Sequence, residues 1–107
     1  MINGVHIASR TADQTLAVLE LTPVIDPPLG DGMVVVGAVR GPYSERSHTL
    51  PAEFPLADAD DGKLVARIVD PCYATDDLPM EYVVELYAKQ GAETLGEYKT
   101  RVTLRAK

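Results

Sequence analysis

Few residues of this 107-residue chain could do chemistry: two histidines, one cysteine, five tyrosines and sixteen acids. His6 and His48 lie far apart, and neither has a second histidine or a cysteine at metal-ligand spacing. Both read as surface histidines. Cys72 has no CxxC partner and no basic cluster beside it to lower its pKa, so it reads as a structural thiol. As the lone cysteine it also excludes an internal disulfide. The run Asp58-Ala59-Asp60-Asp61-Gly62 opens like a calcium loop, with Asp58 and Asp60 at positions one and three. Gly62 then falls at position five and Val69 at position twelve, where a bidentate glutamate is required. The run is therefore read as a solvated turn. No GxSxG, phosphate loop or GxGxxG occurs, and paired carboxylates for glycoside hydrolysis are recognised by separation in space, not by spacing in sequence. No catalytic residue, cofactor or metal site is expected, and the chain reads as non-enzymatic. What is left is contact chemistry. Tyr43, Tyr73 and Tyr87 are the candidate contacts to a ligand or a partner, although no Trp is present to strengthen sugar stacking.

Net charge is −6, which argues against a surface that neutralises nucleic-acid phosphates. The charge is uneven: acids crowd residues 53–85, and bases dominate residues 89–107. Such a division suits solubility first and a polar docking face second. No apolar run approaches the roughly 20 residues of a spanning helix. The start, Met1-Ile2-Asn3-Gly4, lacks the basic flank and apolar stretch of a signal peptide. The expected partner is a neighbouring domain or another protein, or a carbohydrate, and neither nucleic acid nor a membrane.

The elements that must position these residues read as strands. Hydrophobic residues make up 46% of the chain and charged residues 24%, enough for one packed core in residues 1–107. Residues 97–105 alternate, with Tyr98, Thr100, Val102 and Leu104 on one face and Glu97, Lys99, Arg101, Thr103 and Arg105 on the other. Residues 81–88 repeat the pattern, placing Tyr82, Val84, Leu86 and Ala88 inward and Glu81, Val83, Glu85 and Tyr87 outward. Residues 64–69 form a β-branched run after the Asp61-Gly62 turn. Residues 33–39, apolar on both faces, predict a central strand. Residues 5–9 predict a first strand with Val5 and Ile7 inward, and residues 15–21 a second one ending before Pro23. Pro51 and Pro55 restrict residues 48–56 to an extended edge segment. About seven short antiparallel strands and no helix predict an all-β, immunoglobulin-like or fibronectin III-like sandwich, with a small barrel as the alternative.

The segment from Asp70 to Tyr82 carries a resemblance. Pro71, Pro79 and Tyr82 match the linker and strand of the immunoglobulin-like sandwich domain in family 2 glycoside hydrolases, the β-galactosidase and β-glucuronidase group. Thr75 stands where that family has a serine. Ala74 stands in place of a tryptophan, Asp76 of a proline and Glu81 of a leucine. The ending Val102-Thr103-Leu104-Arg105 is similar to the family's Phe-Gly-Leu-Arg exit, with Thr103 replacing the glycine. The Leu78-Pro79-x-x-Tyr82 step is also similar to fibronectin type III domains. The resemblance spans residues 64–105. It implies a non-catalytic spacer that, in that family, sits between a jelly roll and the catalytic barrel. It further implies a shallow gap at Ala74, unless Tyr73 fills it. A free-standing carbohydrate- or protein-binding module is the alternative. Exposed tyrosines on one face would favour binding, and scattered or buried ones the spacer.

Overall fold

The computed structural model describes residues 2–13, 15–26, 28–43, 51–59, 62–75, 77 and 80–105, with residues 10–13 in backbone only. Its strands are β1 (Ile2–Asp13), β2 (Leu16–Ile25), β3 (Met33–Tyr43), β4 (Ala52–Pro55), β5 (Ala57–Asp58), β6 (Leu64–Val69), β7 (Glu81–Gln90) and β8 (Glu93–Val102). They make two antiparallel sheets in the spatial orders β1-β2-β6-β5 and β4-β3-β7-β8. β1 lies against β8 and β4 against β6, so the sheets face each other as a β-sandwich. No α-helix occurs among the described residues, and no helix is long and apolar enough to cross a membrane.

Alternation of side chains builds the core. β7 buries Tyr82, Val84, Leu86 and Ala88; β2 buries Ala17, Leu19 and Leu21; β6 buries Leu64, Ala66 and Ile68. Each large aliphatic side chain taken out of water contributes about 1.5–3 kcal/mol. The intervening residues of β7, from Glu81 to Lys89, stay half-exposed on the outer face. Val5 and Ile7 pack against the core from β1, as their alternation predicts, and His6 between them is exposed.

Two sequence expectations need correction. β2 does not end before Pro23 but runs through it, pairing Pro23 with Val5 of β1. On its other side β6 reaches only as far as Leu21, so the missing proline N–H costs no ladder bond there. Residues 33–39 are a central strand only in part. β4 pairs with β3 from Ala38 to Gly41, leaving residues 33–36 at an open edge among the described residues, with Val34 53% and Val36 40% exposed. The all-β sandwich expected with about seven strands is observed with eight among the described residues. After Pro55 the chain turns at Leu56, whose N–H donates to the Gly37 carbonyl at 3.1 Å, and passes to the other sheet as β5.

Tyr82 plugs one end of the sandwich. Its ring is 1% exposed and lies on Gly41 of β3, where a Cβ would come 2.5 Å from the ring carbon Cδ1. Only glycine permits that approach. The phenol oxygen accepts the Cys72 N–H at 2.9 Å, tying the connection between β6 and β7 to the core, and burial pushes the Tyr82 phenol above its ordinary value. Replacing Tyr82 with Ala is expected to cost about 3–5 kcal/mol in chemical denaturation. Tyr82→Phe, which removes only the acceptor, should cost about 1–3 kcal/mol. A loss below about 0.5 kcal/mol for the alanine variant would place the ring at the surface.

Candidate functional site

The outer face of the second sheet carries a connected set of polar side chains. Alternation along β7 points Glu81, Glu85 and Tyr87 outward, and the register sets Arg40 of β3 and Glu53 of β4 beside them. The Tyr87 hydroxyl donates to Glu85 Oε2 at 2.7 Å, and Arg40 Nε lies 3.3 Å from Glu85 Oε1. A second Arg40 nitrogen reaches Glu53 Oε2 at 3.1 Å, and Arg101 reaches Glu81 at 3.1 Å. The hydrogen bond from Tyr87, aided by Arg40 and Lys99, holds the Glu85 carboxyl below its ordinary value of 4.5, against the opposing pull of burial. The same bond raises the Tyr87 phenol. Glu85 is thus a fixed anion that organises its neighbours.

The three candidate contact tyrosines do not form one platform. Tyr43 pairs with Glu81 at one end of β7, and Tyr87 lies six residues further along that strand. Both face outward, about 20 Å apart at strand spacing. Tyr43 is exposed, whereas Tyr87 is half-buried and engaged by Glu85. Tyr73 is elsewhere. It packs against the core from the connection between β6 and β7, and its hydroxyl is buried without a hydrogen-bond partner among the described residues. The neighbouring Ala74 is buried as well, and its N–H donates to the Leu104 carbonyl at 2.8 Å, closing the stretch after β8 against this loop. Ala74 is therefore not plain surface, and the ring beside it is already packed inward.

Other sequence candidates stand apart. Cys72 is a half-buried free thiol whose backbone serves Tyr82. His48, Asp60 and Asp61 lie outside the described residues. Among the described residues no three His, Cys, Asp or Glu side chains gather as metal ligands would. Sequence reasoning missed a cleft of about 490 Å³ between the sheets, lined by Pro23, Ile25, Leu29, Met33, Val35, Leu56 and Leu64, with Asp58 and Lys63 among its polar residues. It opens where, among the described residues, both sheets are one strand short, beyond the start of β6 and beyond the end of β4. β4 stops pairing with β3 at Pro55, and no local sequence pattern marked the cleft. Compared with known proteins, the chain matches no family model and no curated protein.

Two measurements follow from this geometry. Because the folded Glu85 has a lowered pKa, its stabilisation is full above the unfolded value and is lost as pH falls through the folded one. Glu85→Gln should therefore lose less stability than the unaltered chain when urea melts are compared between about pH 6 and about pH 3. Equal losses would mean the carboxylate contributes nothing. At the loop, Ala74→Trp should overpack the site beside Tyr73 and destabilise by about 1–3 kcal/mol. A raised melting temperature would reveal an unfilled gap instead.

Proposed function

We propose that the chain is a non-catalytic, immunoglobulin-like β-sandwich module with a mechanical role, holding a neighbouring domain or protein in place by packing a sheet against it. The observation that carries this reading is the outer face of the second sheet. Between its two tyrosines lie the Glu53–Arg40–Glu85 contacts, to which the Tyr87 hydroxyl is bonded, a pattern that aligns a polar partner. A sugar-stacking platform would instead bring rings together. A lowered Glu85 carboxyl is unsuited to protonating a leaving group, which is the part a glycosidase acid plays.

Topology supports the immunoglobulin-like part of the reading. The order β1-β2-β6-β5 facing β3-β7-β8 has the A-B-E-D and C-F-G arrangement of a constant-type immunoglobulin sandwich, with β4 added beside β3. Tyr82, near the start of the strand equivalent to F and bonded to the backbone upstream, is similar to the tyrosine corner of that architecture. Likeness to the family 2 glycoside hydrolase spacer rests on Pro71, Pro79 and Tyr82. Architecture alone does not select a function.

The test has two arms. Purified protein should hydrolyse aryl galactosides, glucuronides, glucosides and mannosides no faster than buffer does. Turnover that survives repurification and vanishes when one carboxylate is removed would overturn the reading. Reading the gene past the Lys107 codon supplies the second arm: an in-frame catalytic barrel favours the spacer, and a stop codon favours a free-standing binding module.

A further inference from the structure

The geometry points to a second copy of this chain as the occupant of the open β3 edge, added antiparallel across a two-fold axis at Val34. The observation is independent of the docking face on the second sheet. Sheet edges attract other strands unless something guards them. β4 is guarded, because Pro51 and Pro55 remove two of the donors that would point outward from it. β8 is guarded by Glu93, Glu97, Lys99 and Arg101. Residues 33–36 read Met-Val-Val-Val, with no charge and no proline.

Backbone parity shows what this edge offers. The Gly37 carbonyl accepts the Leu56 N–H on the side away from β7, so residues 33 and 35 direct their backbone groups to that side too. The Met33 N–H already donates to the Gly30 carbonyl at 3.2 Å. What remains is the Met33 carbonyl and both groups of Val35, and among the described residues no strand pairs with them. An edge with one matched donor and acceptor two residues apart is its own complement. With the axis at Val34, each Val35 N–H meets the other copy's Met33 carbonyl. An axis at Val35 would set Met33 against Gly37, a place Leu56 holds already.

Side chains agree with this register. The two Val34 side chains, the most exposed large apolar groups of the second sheet, would meet in the close, non-hydrogen-bonded type of pair. On the inner face, Met33 of each copy would lie beside the other's Val35 at the mouth of the cleft. The nearest outer-face charges, one Lys89 per copy, would be kept about 14 Å apart by three strand spacings, beyond the screening length of roughly 8–10 Å. A four-residue seam is small against the roughly 800 Å² per partner of a standard interface, so the dimer is weak and concentration-dependent.

Sedimentation equilibrium from micromolar to millimolar protein tests it. The unaltered chain should pass from monomer to dimer, and Val34→Lys should stay monomeric, because like charges across the axis repel. Val69→Lys, at the 59% exposed valine of the other sheet, should dimerise like the unaltered chain. Mixing Val34→Lys with Val34→Glu should restore a dimer of one copy each. An unaltered chain that stays monomeric, a Val34→Lys chain that still dimerises, or a mixture that does not pair would each overturn the proposal. Amide exchange covers the case of a variant that fails to fold. In the unaltered chain the Val35 N–H should become protected as concentration rises, and constant exchange there would equally overturn it.

Discussion

The contact of the Tyr82 ring with the Gly41 backbone, capped by the Cys72 amide, is the constraint on which the sandwich depends. A ring this deep in the core brings a hydroxyl with it, and a buried hydroxyl without a partner costs about 1–3 kcal/mol. The chain supplies the partner from the connection between β6 and β7. That choice fixes where the connection crosses from one sheet to the other. It also brings Tyr73 and Ala74 inward, and Ala74 in turn bonds Leu104 just past β8. One aromatic side chain thereby links three segments distant in sequence: β3, the crossing loop and the final stretch. Tyr73, whose hydroxyl is buried without a partner among the described residues, sits in this corner because the packing of its ring outweighs that loss.

At the opposite end the sandwich opens into a cleft, and the reason is strand length. β6 starts at Leu64 and pairs with β2 no further than Leu21, while β4 leaves β3 at Pro55. Among the described residues each sheet therefore lacks a strand at the same end. Core side chains there, such as Val35 and Leu56, are covered from one side only, and a cleft results. The left-handed turn at Gly32 feeds β3 into this end and lets the strand begin without a partner on its outer side.

Much of the fold was legible because alternation is a local property. β7 and β8 show which side chains are buried before any partner strand is known, and the structure places Tyr82, Val84, Leu86 and Ala88 inside as their spacing predicts. Residues 33–39 were harder to read. A strand apolar on both faces carries the same sequence signal whether its edge is paired or bare, since pairing is decided by another strand's length. Pro23 misled for a related reason: a proline ends a strand only where its N–H is needed, and that depends on how far β6 extends. The polar contacts of the outer face were half legible. Alternation put Glu85 and Tyr87 on one side of β7, but the placement of Arg40 and Glu53 beside them comes from the β3 register, which no local pattern encodes.

β3 unites the charged face and the open edge, and its geometry keeps them separate. Where β4 covers it, Arg40 is committed to Glu53 and Glu85, and the surface there is an outward face of oriented charge. Where β4 is gone, the strand presents backbone groups and valines sideways, along the plane of the sheet. Face and edge point in perpendicular directions, so a domain resting on the first would leave the second free. Their energetics differ as well. Exposed ion pairs contribute little attraction and mainly set orientation, weakening as salt rises. Strand pairing adds hydrogen bonds and buries valine surface, and neither contribution depends much on salt. Salt therefore separates the two surfaces. Association through the charged face should weaken as ionic strength rises, whereas pairing along the β3 edge of a chain with net charge −6 should hold or strengthen as the repulsion between copies is screened.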